Sequence, residues 1–438
     1  MIKALMIILI GILTSFYYFP IEFTFLPGVN TKMAMAGFGL IVLFFQLARQ
    51  RRPDIDSGVF KLSLIALVVS FWGFVSVTFN DTPDYTYATY IVSMWVWLSG
   101  AYVVVTLVRE LHGYISMSLV CNYLIAVCTA QCISALMLDS IPAFKAFVDT
   151  YVSGFGFVDT SQMAGSGRLY GIGAGLDVAG LRFSAVLCMI PYITSKISNT
   201  IHKKYIWIYL VCFVIIGLVG NMIARTTTVG IILSIVHWSV IGFRNSSNTD
   251  MNLPFLWKWM VGILIMALVI IIYRYNASAA FRENVRFAFE GFFSLAEKGT
   301  WDVHSNNILK DMYVFPDNIK TWIIGDGYME NPRSTDPYYV GKIYGGYYMG
   351  TDVGYLRFIF YFGILGLITF LHYFIALTKC CMSKFSNQQL LFLFFLLVNI
   401  LGWFKVSTDV FLVFAPFLLI SAEENEEGER RLLVRGER

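Results

Sequence analysis

The chain has 438 residues, 57% of them hydrophobic, 17% aromatic and only 14% charged, with a formal net charge of +4. Soluble domains carry about 25% charged residues, so this composition, with a mean hydropathy of +0.67, excludes a soluble globule and indicates an all-α, polytopic membrane protein whose helices pack in lipid. The small net charge and the scatter of basic residues through short connections exclude a nucleic-acid face.

A membrane-spanning helix needs about 20 apolar residues. Twelve stretches are predicted to cross: 2–19, 33–48, 61–79, 88–108, 114–138, 177–195, 205–221, 226–243, 255–273, 351–377, 387–403 and 405–421. The first has one basic residue, Lys3, and no small-residue cleavage site before Pro20, so it reads as a span and not as a removed signal. Only Lys405 divides the last two. Five cysteines, Cys121, Cys128, Cys132, Cys188 and Cys212, fall inside apolar stretches, and Cys380 and Cys381 lie beside Lys379. That placement implies no disulfide framework and no metal spacing.

Basic residues orient these spans. Arg49, Arg51, Arg52 and Lys61 flank the second connection, and Arg109 and His112 the fourth. Lys196, His202, Lys203 and Lys204 mark the sixth, Arg244 the eighth, and Lys379 and Lys384 the tenth; the tail adds Arg430, Arg431, Arg435 and Arg438. Positive residues stay inside, so the even connections and both termini are expected in the cytoplasm. The third connection, with Asp81 and Asp84 and no Lys or Arg, then faces outward.

The chain therefore divides into nine helices over 1–273, with an outward loop near 139–176; a large outward loop, 274–350; three helices over 351–421; and a charged, flexible tail, 422–438. The first loop ends in the glycine-rich run GSGRLYGIGAG. The large loop is predicted to open with one amphipathic helix, 279–296, carrying Phe281, Val285, Phe289 and Phe292 at helical spacing and Arg282, Glu283, Arg286 and Glu290 between them. A second helix is expected near 305–312, followed by a Gly/Pro/Tyr-rich stretch over 325–350.

Ionisable residues at membrane depth are costly and mark functional sites. Arg182 lies one or two turns inside its span, Arg225 sits in the short turn GNMIARTTTVG, Asp352 and Arg357 open the span TDVGYLRF, and Lys405 divides the last two spans. All five fall on the outer side. Each has a plainer reading: Arg182 can pair with Asp177, Arg225 and Lys405 can snorkel to headgroups, and Asp352 can cap a helix. Arg168 stands among glycines that allow close backbone approach to a ligand, although the run matches no dinucleotide fingerprint. His304 is a lone loop histidine, and Glu290 belongs to the polar face of the surface helix. Tyr328, Tyr338, Tyr339, Tyr344, Tyr347 and Tyr348 crowd the large loop. Such rings stack on sugars or form an interfacial belt.

Four segments resemble the bacterial O-antigen and capsule polysaccharide polymerases and the related O-antigen ligases: GRLYGIGAGLDVAGLRF (167–183), ARTTTVGIIL (224–233), TWIIGDGY (321–328) and TDVGYLRFIFYFGILGL (351–367). In the ligases a His-Asn pair commonly opens the last of these. Thr351-Asp352 stands there instead, which favours a polymerase and removes the histidine as a base.

The resemblance implies a GT-C-like glycosyltransferase of the inner membrane, without metal or other cofactor. It would polymerise undecaprenyl-pyrophosphate-linked repeat units at the periplasmic face, with a chain-length regulator as a further partner. It implies catalytic roles for Asp352 as base and for Arg225 and Arg168 on the pyrophosphate. Substrate contacts would come from Arg182, Arg286, Arg357, Tyr328, Tyr347, Tyr348, His304 and Glu290, the last two being reserve bases. Two alternatives remain at this stage. A ligase would perform the same chemistry on a different acceptor. A lipid-linked oligosaccharide flippase is opposed by the lack of half-to-half similarity and by a long loop that is outward and not central.

Overall fold

In lipid a backbone must satisfy its own polar groups, and each of the twelve apolar stretches is helical over at least part of its length. The computed structural model describes residues 2–49, 57–154, 168–197, 204–244 and 253–434. Residues 155–167 of the first outward loop fall outside the described residues, as do Arg51, Arg52, His202, Lys203, Arg435 and Arg438.

In chain order the helices begin α1 (Ile2–Tyr18), α2 (Thr31–Ala48), α3 (Ser57–Asn80), α4 (Tyr90–His112), α5 (Met117–Ser140) and α6 (Pro142–Tyr151). Next come α7 (Leu176–Ile197), α8 (Ile206–Ile223), α9 (Thr227–Arg244) and α10 (Leu253–Ala277). The long connection holds α11 (Ala279–Ala288), α12 (Glu290–Lys298), α13 (His304–Asp311), α14 (Ile319–Ile323) and α15 (Pro332–Thr335). The chain closes with α16 (Gly354–Lys384), α17 (Gln389–Gly402), α18 (Phe411–Leu418) and α19 (Ala422–Val434). One small exception to an all-helical fold is an antiparallel pair, β1 (Glu22–Phe23) with β2 (Val152–Gly154).

Among the described residues, seven helices are long and apolar enough to cross a membrane: α3, α4, α5, α7, α8, α10 and α16. Four further apolar helices, Ile2–Tyr18, Thr31–Gln46, Thr227–Phe243 and Ser386–Gly402, are shorter in their described residues. This is a multi-pass membrane protein. At its centre is α7, whose residues 179–194 are all buried and which packs against α5, α8, α9 and α17. At the rim is α10, which rests on α8 and α11 and exposes Leu264, Ile265, Val269 and Ile270, side chains suited to lipid contact.

The long connection is anchored where α16 breaks. Phe362 and Gly363 leave the helical conformation, Gly363 with φ 69°, which frees carbonyls in the preceding turn. The loop supplies their donors: Asp326 N–H reaches Phe360 O at 2.6 Å and Gly327 N–H reaches Tyr361 O at 3.1 Å. From α3, the Ser76 hydroxyl also donates to Tyr361 O, at 2.6 Å. Gly325 (φ 86°) and Gly363 face each other's backbone so closely that a Cβ at either would collide with a carbonyl, that of Tyr361 or of Ile323.

Three expectations change. The single surface helix over 279–296 is two helices, α11 and α12, broken at Phe289 (φ −118°, ψ 29°). The Phe287 carbonyl instead accepts from Arg225 Nε at 3.0 Å, so the helix loses a bond where it turns. The last apolar stretch becomes helical only at Phe411. Asn399 Oδ1 takes the Val410 N–H and Asp409 Oδ1 the Phe411 N–H, and these side-chain bonds hold residues just before it out of the helix. Over its described residues, 422–434, the charged tail is helical and docked on the bundle. It forms α19, which lies across the bundle end opposite the long connection, with Arg109–Glu424 at 3.0 Å, Lys196–Glu429 at 2.8 Å, and Asn425 Oδ1 accepting from Met117 N at 2.9 Å.

Candidate functional site

At the loop end of the bundle, α2, α4, α7, α16 and the 403–410 segment surround a cavity of about 620 Å³. Its charged lining is Lys32, Arg168, Asp177, Arg182, Glu330, Asp352, Arg357 and Asp409, with Trp97 and Tyr347 beside them. These residues come from seven separate parts of the chain. Most enter at the loop-end terminus of a helix or in a connection, where the backbone is no longer closed on itself, while Trp97 and Arg182 project from inside α4 and α7.

Arg357 is held firmly. Its Nη2 donates to Met329 O at 2.9 Å and pairs with Glu330 at 3.1 Å, and the guanidinium stands 3.5 Å from the Tyr347 ring centre. Nε has no partner among the described residues. Glu330 is itself placed by buried Asp84, whose Oδ2 accepts the N–H groups of Met329 (2.7 Å) and Glu330 (3.0 Å). This loop carboxylate in the third connection therefore sets the cavity wall.

Arg182 is 3% exposed. The pairing with Asp177 that the sequence allowed does not form: Asp177 pairs with Lys405 at 3.3 Å. Among the described residues the Arg182 guanidinium donates only to the Tyr18 carbonyl, through Nη1 at 2.6 Å. Helix α7 turns its charge inward to α1 and α4, while Asp177, at the first turn, looks out to the 403–410 segment.

Asp352 is not a helix cap; that position belongs to Val353. Its carboxylate accepts no hydrogen bond among the described residues. Burial pushes its pKa above the usual carboxylate value, and the negative charge of Asp177 pushes the same way, while Arg357, Lys405 and Arg168 pull it back. An unpartnered carboxylate with a raised pKa in a cavity is suited to accept a proton.

A second cavity, of about 760 Å³, lies under α11, α12 and α13. Arg225, Arg286, Glu290, Lys298, Asp302 and His304 line it together with Arg168. Most of this charge is internally balanced: Arg225–Glu290 at 2.7 Å, Arg286–Glu297 at 2.8 Å and Lys298–Asp302 at 3.4 Å. Arg225 also donates to Ser305 Oγ at 2.8 Å, and Glu290 accepts the His304 N–H at 3.1 Å. Burial lowers the Arg225 pKa, and Glu290 opposes that shift. The guanidinium carbons of Arg225 and Arg168 stand 4.1 and 4.9 Å from the Phe287 ring centre.

The structure thus separates the outer-side candidates into two adjoining cavities. Asp352, Arg182, Arg357 and Tyr347 border the first; Arg225, Arg286, Glu290 and His304 border the second; Arg168 borders both. Arg168 makes no ion pair among the described residues. Tyr328 and Tyr348 line neither cavity. They pack ring against ring at 5.4 Å, with hydroxyls donating to Asp336 (2.8 Å) and Asp326 (3.3 Å). Those rings are committed to holding the loop together.

Sequence reading missed Lys32, Trp97, Glu330 and Asp409. Asp409 carried a usable signal, being a carboxylate inside an apolar stretch. Lys32, one residue ahead of its stretch, read as an ordinary flank. Among the described residues no three His, Cys, Asp or Glu side chains gather to hold a metal ion. No protein-family model, no curated protein and no solved structure matches the chain.

Proposed function

We propose that the chain is a polysaccharide polymerase, a GT-C-like glycosyltransferase that joins undecaprenyl-pyrophosphate-linked repeat units into O-antigen or capsule. In this reading all twelve apolar stretches take part in crossing the bacterial inner membrane, the loop end faces the periplasm, and both termini are cytoplasmic. One observation carries the reading most directly. Among the described residues, a carboxylate without a hydrogen-bond partner, Asp352, and an arginine without an ion pair, Arg168, border the same cavity, and Arg168 continues into a second cavity large enough for another sugar-sized group. Transfer between two carrier-linked glycans needs two adjoining spaces and charge at their junction.

The step balances without an external energy source. The acceptor hydroxyl oxygen bonds to the anomeric carbon of the donor, and the bond from that carbon to the pyrophosphate oxygen breaks. Undecaprenyl pyrophosphate leaves with the electron pair. Asp352 takes the hydroxyl proton, and the Arg168 guanidinium neutralises charge growing on the leaving group. Arg357 and Tyr347 orient the acceptor sugar, and Arg225 fixes the surface helices over the second cavity.

The test is a deletion followed by gel analysis of surface polysaccharide. Single repeat units on core support polymerisation. Bare core with polymer retained on its carrier means ligation, and loss of repeat units from the periplasm means flipping. A long-chain ladder unchanged from the parent overturns the reading.

A further inference from the structure

The floor of the first cavity carries more positive charge than its described neighbours cancel. Lys32 Nζ stands 4.3 Å and the Arg182 guanidinium 5.6 Å from the centre of the same indole, Trp97. Neither cation pairs with a carboxylate among the described residues. Arg182 is 3% exposed, and its Nε lacks a hydrogen-bond partner among the described residues. The acid lining this floor is Asp409, and one of its oxygens already accepts the Phe411 N–H at 2.9 Å. Two cations against one partly engaged carboxylate leave net positive charge in a largely desolvated place.

An uncompensated buried charge is expensive, and cation–π contact with a single ring returns only about 0.5–2 kcal/mol. A protein keeps such an arrangement where an anion arrives to complete it. Both residues line the cavity itself, so the missing partner can come from its contents.

We infer that Lys32 and Arg182, seated on Trp97, form an anion-binding floor that takes a phosphate or carboxylate group borne by the ligand of this cavity. The floor is a binding element additional to Arg168 at the cavity junction. The identity of its ligand rests on the glycosyltransferase reading; the existence of the site does not. A phosphate would come from the lipid carrier, whereas a carboxylate would come from an acidic sugar and would make the floor a selector of charged repeat units.

Thermal unfolding of the full-length protein in detergent, titrated with inorganic pyrophosphate or with glucuronate, tests this. Glucose and sodium chloride at matched ionic strength serve as controls. Wild-type protein should be stabilised by at least one of the two anions beyond the controls. Lys32→Gln should weaken that response at least tenfold, and Lys32→Arg should largely restore it. Arg182→Gln should act as Lys32→Gln does, but because Arg182 is deeply packed, Lys32→Gln decides. Stabilisation by pyrophosphate alone assigns a phosphate; stabilisation by glucuronate assigns an acidic sugar. No stabilisation of the wild type, or an equal response in Lys32→Gln, overturns the inference. A deletion strain with normal polysaccharide would sink the polymerase reading and leave this result standing.

Discussion

Arg168 and Arg225 look alike in sequence, each an arginine in an outward connection ahead of a span, but their surroundings assign them different work. Arg225 binds Glu290, Ser305 and the Phe287 carbonyl, so Arg225→Ala should remove a support and leave Glu290 without its ion pair. We expect a loss of about 1–2 kcal/mol, discounted for partial exposure, together with loss of chain growth. Arg168→Ala breaks no ion pair among the described residues and should stop chain growth with no fall in melting temperature. A melting temperature that falls as far as in Arg225→Ala would make Arg168 structural.

Asp352→Asn should cut turnover by about 10²–10⁴-fold. Its pKa is raised in the folded state, so the charged form costs stability; that cost sets in as pH rises through the ordinary carboxylate value and is complete above the raised one. At neutral pH the Asn variant should therefore melt no lower than wild type. In wild type, activity should fall on the acid side at a pH above the usual aspartate range. A variant that keeps full turnover, or an acid limb at the ordinary value, would place the base elsewhere.

At the scale of elements, the break in α16 couples the loop to the bundle. Its free carbonyls bind Asp326 and Gly327, and three residues farther on lies Glu330, the partner of Arg357. Gly363→Ala and Gly325→Ala each force a Cβ into a backbone carbonyl at positive φ. Each should cost at least about 1–3 kcal/mol and lower activity by shifting the cavity wall. Thermal unfolding and product length measure the two effects. Wild-type values for both would mean that the loop does not depend on this anchor. The segment TWIIGDGY stood out in sequence as a glycine pattern; its physical reason is a kink nearly forty residues away, which local spacing cannot reveal. The division of the surface helix at Phe289 was hidden for the same reason, since the residue that captures the Phe287 carbonyl is Arg225, far off in the chain.

Across the whole molecule, charge is concentrated at the two bundle ends. One end holds the cavities. The other is closed by α19, through Arg109–Glu424 and Lys196–Glu429. Glu429 also accepts from Ser118 N and Oγ, at 3.0 and 2.9 Å, so Glu429→Ala should lower stability by about 1–3 kcal/mol. It should leave polymer length unchanged at permissive temperature, because the cavities lie at the opposite end. Altered polymer length without destabilisation would show that the two ends communicate.

Hydropathy and the length of each apolar run, physical quantities local to the chain, determined that this is a helical, multi-pass membrane protein with its irregular, charge-rich segment late in the sequence. They also singled out Arg182, Asp352 and Arg357, because a charge at the end of an apolar run is costly wherever the chain goes, while the glycines around Arg168 singled out that residue. Only the tertiary structure decided that these four share one cavity, that Arg225 supports a neighbouring one, that Tyr328 and Tyr348 are packing residues, and that Lys32 and Asp409 join the site. A charge's cost is written in its own neighbourhood, but its partner is chosen by how helices distant in sequence meet, and no local pattern encodes that meeting.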